Sequence, residues 1–202
     1  MTPEEEVLAC VVERLEALGI PYMVTGSVAS SHHGRPRTTH DTDIVVDPTP
    51  EALVRLVSDL AGAGFYVDAE TARDALRRRR QFNVIEIESA CKVDLIVRKD
   101  RPFSQEEIRR RQLAELGGGV KAALATPEDT ILAKLEWARK AGESEKQLSD
   151  AAGIVDVRGK DLDRAYIERW AKELKVLDLW RRVTRGRDLP PLPGRGTPVR
   201  SR

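Results

Sequence analysis

Apolar positions in the first hundred residues alternate between helical and strand spacing. Val7, Leu8, Val11, Val12, Leu15 and Leu18 recur at helical intervals behind the acidic turn Glu4 to Glu6, and Gly19 and Pro21 follow, which predicts a helix over 4–18. The short apolar run 22–25 then leads into Gly26-Ser27 and the small-residue stretch ASSHHG. Residues 42–46 read as a strand stopped at Asp47-Pro48, and Thr49-Pro50-Glu51 opens a helix that ends in glycines. Phe65 to Asp68 is a further strand candidate and AETARDALRRRR a helix. FNVIEIES and CKVDLIVR form two strands joined near Ser89-Ala90.

Beyond Lys99 the pattern turns mostly helical. SQEEIRRRQLAEL starts at a Ser cap and stops at Gly117 to Gly119, VKAALA bridges to the cap Thr126-Pro127-Glu128, and a helix runs to Lys140 or Ala141. SEKQLSDAAGIV, DRAYIERWAKELK and VLDLWRRVT supply up to three more helices. The expected organisation is an α/β core over 1–100, a helical subdomain over 101–185, and an extended Pro- and Arg-rich tail over 186–202.

Length and charge narrow the function. At 202 residues the chain fits one domain with a small appendix, and no apolar run reaches the ~20 residues of a membrane span. The acidic N-terminus is unlike a signal segment, and Cys10 and Cys91 lack metal or redox spacing. They read as buried, reduced thiols of a cytoplasmic protein. With 34 Lys plus Arg against 33 Asp plus Glu, the chain shows no overall nucleic-acid footprint, and 4% aromatics argue against a base-stacking surface. The run Arg77 to Arg80 reads as a helix end complementing the dipole.

The chemistry concentrates in GSVASSHHGRPRTTHDTDIVV, residues 26–46. On a strand Asp41 and Asp43 share a face, where two carboxylates repel unless a cation lies between them. Hard divalent ions take such oxygens together with phosphate oxygens. Gly26-Ser27 precedes a short helix whose free backbone N–H groups suit a phosphate, and glycine permits close approach. Asp94, in the apolar strand KVDLIV, is a charge that needs a partner or a metal. His32, His33 and His40 also allow a zinc or phosphohydrolase reading, but three histidines in one loop fall short of those ligand sets. Arg35 and Arg37 are placed to neutralise phosphates.

Gly-Ser followed by the strand-borne Asp-x-Asp and a third Asp resembles the signature of polymerase-β-like nucleotidyltransferases. RPRTTHDTDIVV, KVDLIV, PEDTILAKLEWA and SEKQLSDAAGI are similar to the abortive-infection AbiEii-type branch, over about residues 5–185. The resemblance implies a mixed β-sheet domain with flanking helices, followed by a helical half. It implies transfer of a nucleoside monophosphate from a nucleoside triphosphate such as ATP to an acceptor hydroxyl, with Mg²⁺ or Mn²⁺ on Asp41, Asp43 and Asp94. Gly26 and Ser27 would hold phosphates, and Lys134 and Asp150 would complete the nucleotide site. The acceptor could be a protein hydroxyl, a tRNA or RNA 3′ end, or a small molecule. A toxin restrained by a cognate antitoxin is the implied setting. The thirteen residues between Ser27 and Asp41 make that spacing long for the signature. The alternative is a non-catalytic nucleotide-binding or protein-interaction module, an antitoxin or sensor, on the same fold.

Overall fold

The computed structural model describes residues 1–37 and 41–187; the expected tail beyond 187 and His40 lie outside the described residues. Helices are α1 (Pro3–Ala17), α2 (Gly26–His33), α3 (Pro50–Gly62), α4 (Ala69–Arg78), α5 (Pro102–Arg110), α6 (Pro127–Lys140), α7 (Glu145–Arg158), α8 (Arg164–Glu173) and α9 (Leu177–Thr184). Strands are β1 (Tyr22–Thr25), β2 (Asp41–Val46), β3 (Phe65–Tyr66), β4 (Gln81–Glu86), β5 (Lys92–Val97), β6 (Gln112–Glu115) and β7 (Lys121–Leu124). Among the described residues no helix is long and apolar enough to cross a membrane.

Side-chain caps fix several helix starts. Thr2 and Glu5 form a reciprocal capping box on α1, and Thr49, Asp68, Thr126 and Asp163 cap α3, α4, α6 and α8. Each cap satisfies a backbone N–H that the helix cannot, which is why the starts at Thr49 and Thr126 were readable from residue type.

The strands form one mixed sheet in the order β3-β4-β5-β2-β1-β7-β6. β2 runs parallel to β5 and antiparallel to β1; β7 runs parallel to β1. Ile44, Val46, Val93, Leu95, Val97, Phe82 and Val84 join one apolar cluster with Leu53, Leu56 and Leu60 of α3 and the inner residues of α1. By strand alternation Asp41, Asp43, Lys92 and Asp94 lie on the opposite face. That face meets the helical half, whose own cluster gathers Ile131, Leu135, Ile154, Ile167, Trp170 and Trp180. α2 packs against both α6 and α7, so it couples the sheet to that half.

Two stretches depart from the sequence reading. The helix expected from Ser104 to Leu116 starts at Pro102 and ends at Arg110, because Arg111 turns to φ −49, ψ 146. Gln112–Glu115 and Lys121–Leu124 then become strands, so the sheet extends past the expected limit at residue 100. Their alanine-rich composition gives little β signal; pairing of Leu124 with Val24 and of Leu113 with Ala123 overrides it. His32 and His33 lie at the end of α2 rather than in a loop, and Cys10 and Cys91 are free and half-buried rather than buried.

A carboxylate cavity between sheet and helices

Asp94 pairs in register with Asp43 across β5 and β2, Asp43 with Thr25 across β2 and β1, and Asn83 with Asp94 across β4 and β5. One row of four strands thus carries the two inner carboxylates. Asp41, two residues before Asp43, pairs with Lys92 and opens to solvent. The three aspartates line a cavity of about 210 Å³ together with Gly26, Ser27, Lys92, Gln81, Lys134 and Trp137.

Gly26 is required where it stands. It opens α2 at φ +62, and a β-carbon built there would lie 2.7 Å from Cγ of Asp43. The backbone at the N-terminus of α2 therefore touches the central carboxylate. Ser27, the next residue, accepts a hydrogen bond from Arg37 Nη2 at 2.6 Å.

Three aspartates and the lysines Lys92, Lys134 and Lys146 line the cavity, and the carboxylates crowd at Asp43. Burial, then the neighbouring charges of Asp94 and Asp41, push the Asp43 carboxyl above its ordinary pKa, against Lys134 and Lys92. Lys92 Nζ lies 3.1 Å from Asp94 Oδ2 and 3.9 Å from Asp41 Oδ1. Among the described residues Asp94 Oδ1 is buried with no hydrogen-bond partner, a costly arrangement unless something polar meets it.

Across the cavity, Lys134 is buried at 4% exposure and donates to Asp150 Oδ2 at 2.7 Å. Arg37 grips the same carboxylate through two bonds of 3.1 Å. Asp150 thus holds together Lys134 of α6, the segment after α2 and, through Arg37, the hydroxyl of Ser27. Burial lowers the Lys134 pKa despite the Asp150 bond; Asp150 is itself held low by Arg37 and Lys134, which outweigh burial.

Of the residues expected at the site, Gly26, Ser27, Asp41, Asp43, Asp94 and Lys134 line one cavity, and Asp150 and Arg37 stand directly behind it. Arg35 does not join them: it is exposed and pairs with Asp156 of α7 at 3.0 Å. His33 Nε2–H donates to Ala125 O, 2.7 Å away, which makes it a strut between α2 and the approach to α6. Lys92, Gln81 and Trp137 were missed. Lys92 alone had a local signal, since it shares the strand face of Asp94 two residues away.

The donor set fits a hard divalent ion: all oxygen, carboxylate, with one buried oxygen lacking a partner. Among the described residues no three His, Cys, Asp or Glu side chains stand ready as a metal cage. Mg²⁺ seldom uses such a cage, taking one or two carboxylates together with substrate phosphates.

No protein-family profile and no curated protein sequence matches the chain. Solved structures do match its fold. The solution structure of the antibiotic-resistance factor ANT(2″)-Ia aligns at a TM-score of 0.57 and 12% identity, over 88% of this chain and 96% of that one. The crystal structure of ANT(2″)-Ia in complex with adenylyl-2″-tobramycin gives 0.57 and 13%, over 86% and 98%. An antigenic nucleotidyltransferase-like protein from Paracoccidioides brasiliensis gives 0.55 and 13%, over 93% and 94%. At these identities the likeness is one of fold, shared with nucleotidyltransferase-like proteins.

Proposed function

We propose that this protein is a metal-dependent nucleotidyltransferase that moves a nucleoside monophosphate from a nucleoside triphosphate to an acceptor hydroxyl. The observation that carries the reading is the register of Asp43 with Asp94 beside the N-terminus of α2, in one cavity with Lys134. Mg²⁺ or Mn²⁺ held by Asp41, Asp43 and Asp94 would neutralise charge on the triphosphate and its leaving pyrophosphate.

The chain's own groups account for the remaining work. Backbone N–H groups at Gly26 and Ser27, with the Ser27 hydroxyl, bind phosphate oxygens. Lys134 and Arg37 place two cations near them, both drawn at present to Asp150. The acceptor oxygen attacks the α-phosphorus, the bond to the β-phosphate oxygen breaks, and Asp94 takes the hydroxyl proton. In the like-folded ANT(2″)-Ia structure the adenylyl group stands on tobramycin, a product of the kind this reading requires.

The AbiEii-type motifs further support a toxin-like enzyme restrained by a partner protein, and the unpaired thiols support a cytoplasmic setting. A second reading draws on Lys92. Its ammonium already serves Asp94 and Asp41, as in a non-catalytic nucleotide-binding or interaction module.

Thermal unfolding with ATP, GTP, CTP and UTP, each with and without Mg²⁺, separates the two on wild type and Asp43→Asn. A Mg²⁺-dependent rise in Tm for wild type alone supports the enzyme and names the base. Equal behaviour of both proteins, or no rise with any nucleotide, overturns it.

A further inference from the structure

A second cavity of about 400 Å³ adjoins the carboxylate cavity, and the two share Thr25, Gln81, Ile96, Ala133 and Trp137 as common walls. Its far wall is cationic, with Arg79, Arg80, Arg98, Lys99 and Arg101. Three of these are neutralised: Arg79 and Arg98 share Asp47, at 3.3 and 2.7 Å, and Arg101 is bidentate with Glu136 at 2.7 Å. Among the described residues Arg80 and Lys99 have no carboxylate within ion-pair reach. Lys99 faces the ammonium of Lys140, itself 2.8 Å from Glu136. Partial burial first, and Lys140 second, lower the Lys99 pKa. The remaining acid of the wall, Glu107, is buried, which pushes its pKa up to about 7, so near neutral pH it carries only part of a negative charge.

Arg80 and Lys99 are exposed at the cavity's edge, where Lys99 feels Glu136 only at a distance and neither cation is held by an ion pair among the described residues, so both stay open to an arriving anion. The partition between the cavities combines the apolar Ile96, Ala133 and Trp137, the last 54% exposed, with the polar Thr25 and Gln81. A molecule that reached from the cationic wall to the aspartates would lie along that partition.

We infer that this cavity receives the acceptor, and that the acceptor is a hydroxyl-bearing anion of the phosphate-ester class, its phosphate on Lys99 and Arg80 and its hydroxyl toward the aspartates. The inference rests on the nucleotidyltransferase reading and gives it a substrate class. Arg80 contributes a planar fork suited to phosphate and Lys99 a point charge. A cationic amino sugar would meet like charge here, and a neutral sugar would leave both cations unanswered.

The test uses ribose 5-phosphate as probe, with ribose and glucosamine as neutral and cationic controls, at constant ionic strength and without metal. Binding is read from Trp137 fluorescence, with Trp137→Phe to subtract Trp170 and Trp180. Wild type and Asp43→Asn should respond saturably to ribose 5-phosphate and to neither control. The double variant Lys99→Gln/Arg80→Gln should bind it roughly tenfold or more weakly, while keeping the wild-type Tm rise with MgATP. Equal responses to ribose and ribose 5-phosphate, or undiminished binding by the double variant, overturn the inference. So does loss of the MgATP effect in that variant, since the cavity would then belong to the triphosphate. Failure of the enzyme reading looks different: no protein responds to Mg²⁺ with any nucleotide, whatever ribose 5-phosphate does.

Discussion

Asp43 fills the space that a β-carbon on Gly26 would need, so the turn that opens α2 and the central carboxylate of β2 are built around each other. Gly26→Ala meets both the positive φ and the clash. It should cost roughly 1–3 kcal/mol in urea unfolding and remove nucleotide-dependent stabilisation. Asp43→Ala in the same chain removes the two nearest atoms but leaves Cβ of residue 43 at 2.9 Å and the φ unchanged, so the double variant should be less destabilised than the single changes sum to, without full recovery.

Asp43→Asn should raise the Tm of the metal-free protein while lowering transfer on the order of 10³-fold. Burial and the charges of Asp94 and Asp41 raise the Asp43 pKa above its unfolded value, so ionising it opposes folding. That penalty is absent at pH below the unfolded carboxylate range and complete above the raised pKa. The Tm difference between variant and wild type should therefore grow as pH rises across this interval. A variant with lower metal-free stability than wild type at pH 8 contradicts this account.

Asp150 should be costlier to remove than its partial exposure implies. Asp150→Asn leaves Lys134 buried without its anion, 2.7 Å away, and releases Arg37 from both of its bonds. Destabilisation of about 3 kcal/mol is expected in denaturant unfolding, with recovery when Lys134 is also replaced by Met. The Asp150 pKa lies below its unfolded value, so its contribution is present above the ordinary carboxylate range and fades as pH falls through the lowered pKa.

Glu107 and Glu136 line one cavity and titrate in opposite directions. Burial raises Glu107 to about 7, so folded protein keeps its proton where unfolded chain has lost it, and stability falls as pH rises from about 4.5 to 7. Glu107→Gln should abolish that fall and stabilise the protein at pH 8 by roughly 3 kcal/mol. Burial also acts on Glu136, but the bonds from Arg101 and Lys140 outweigh it and hold the pKa at about 2. Glu136→Gln should destabilise at neutral pH, and the difference should vanish between pH 4.5 and 2. Parallel pH profiles for the two variants would contradict both assignments.

Much of the site was legible because its signals are local. Asp41 and Asp43 share a face by strand alternation alone, the Thr126-Pro127 cap declared the start of α6, and an acid inside KVDLIV is conspicuous against its apolar neighbours. Lys92 was equally local and was overlooked. Arg35 and Arg37 looked equivalent, two residues apart, yet only Arg37 turns toward Ser27 and Asp150. The choice depends on where α7 lies, which neighbouring residues do not encode.

By itself, the sequence determined the residue types, spacing and strand faces that make a carboxylate site, because 3.6- and 2-residue periods follow from backbone geometry. Tertiary structure decided what those groups meet. It recruited β6 and β7 through pairing rather than propensity, set Asp94 opposite Asp43, and brought Lys134 and Asp150 within 2.7 Å. It also faced Lys99 and Arg80 into a cavity beside the aspartates. Such pairings join segments far apart in the chain, and packing of the whole sheet against the helices fixes them, so no local pattern carries them.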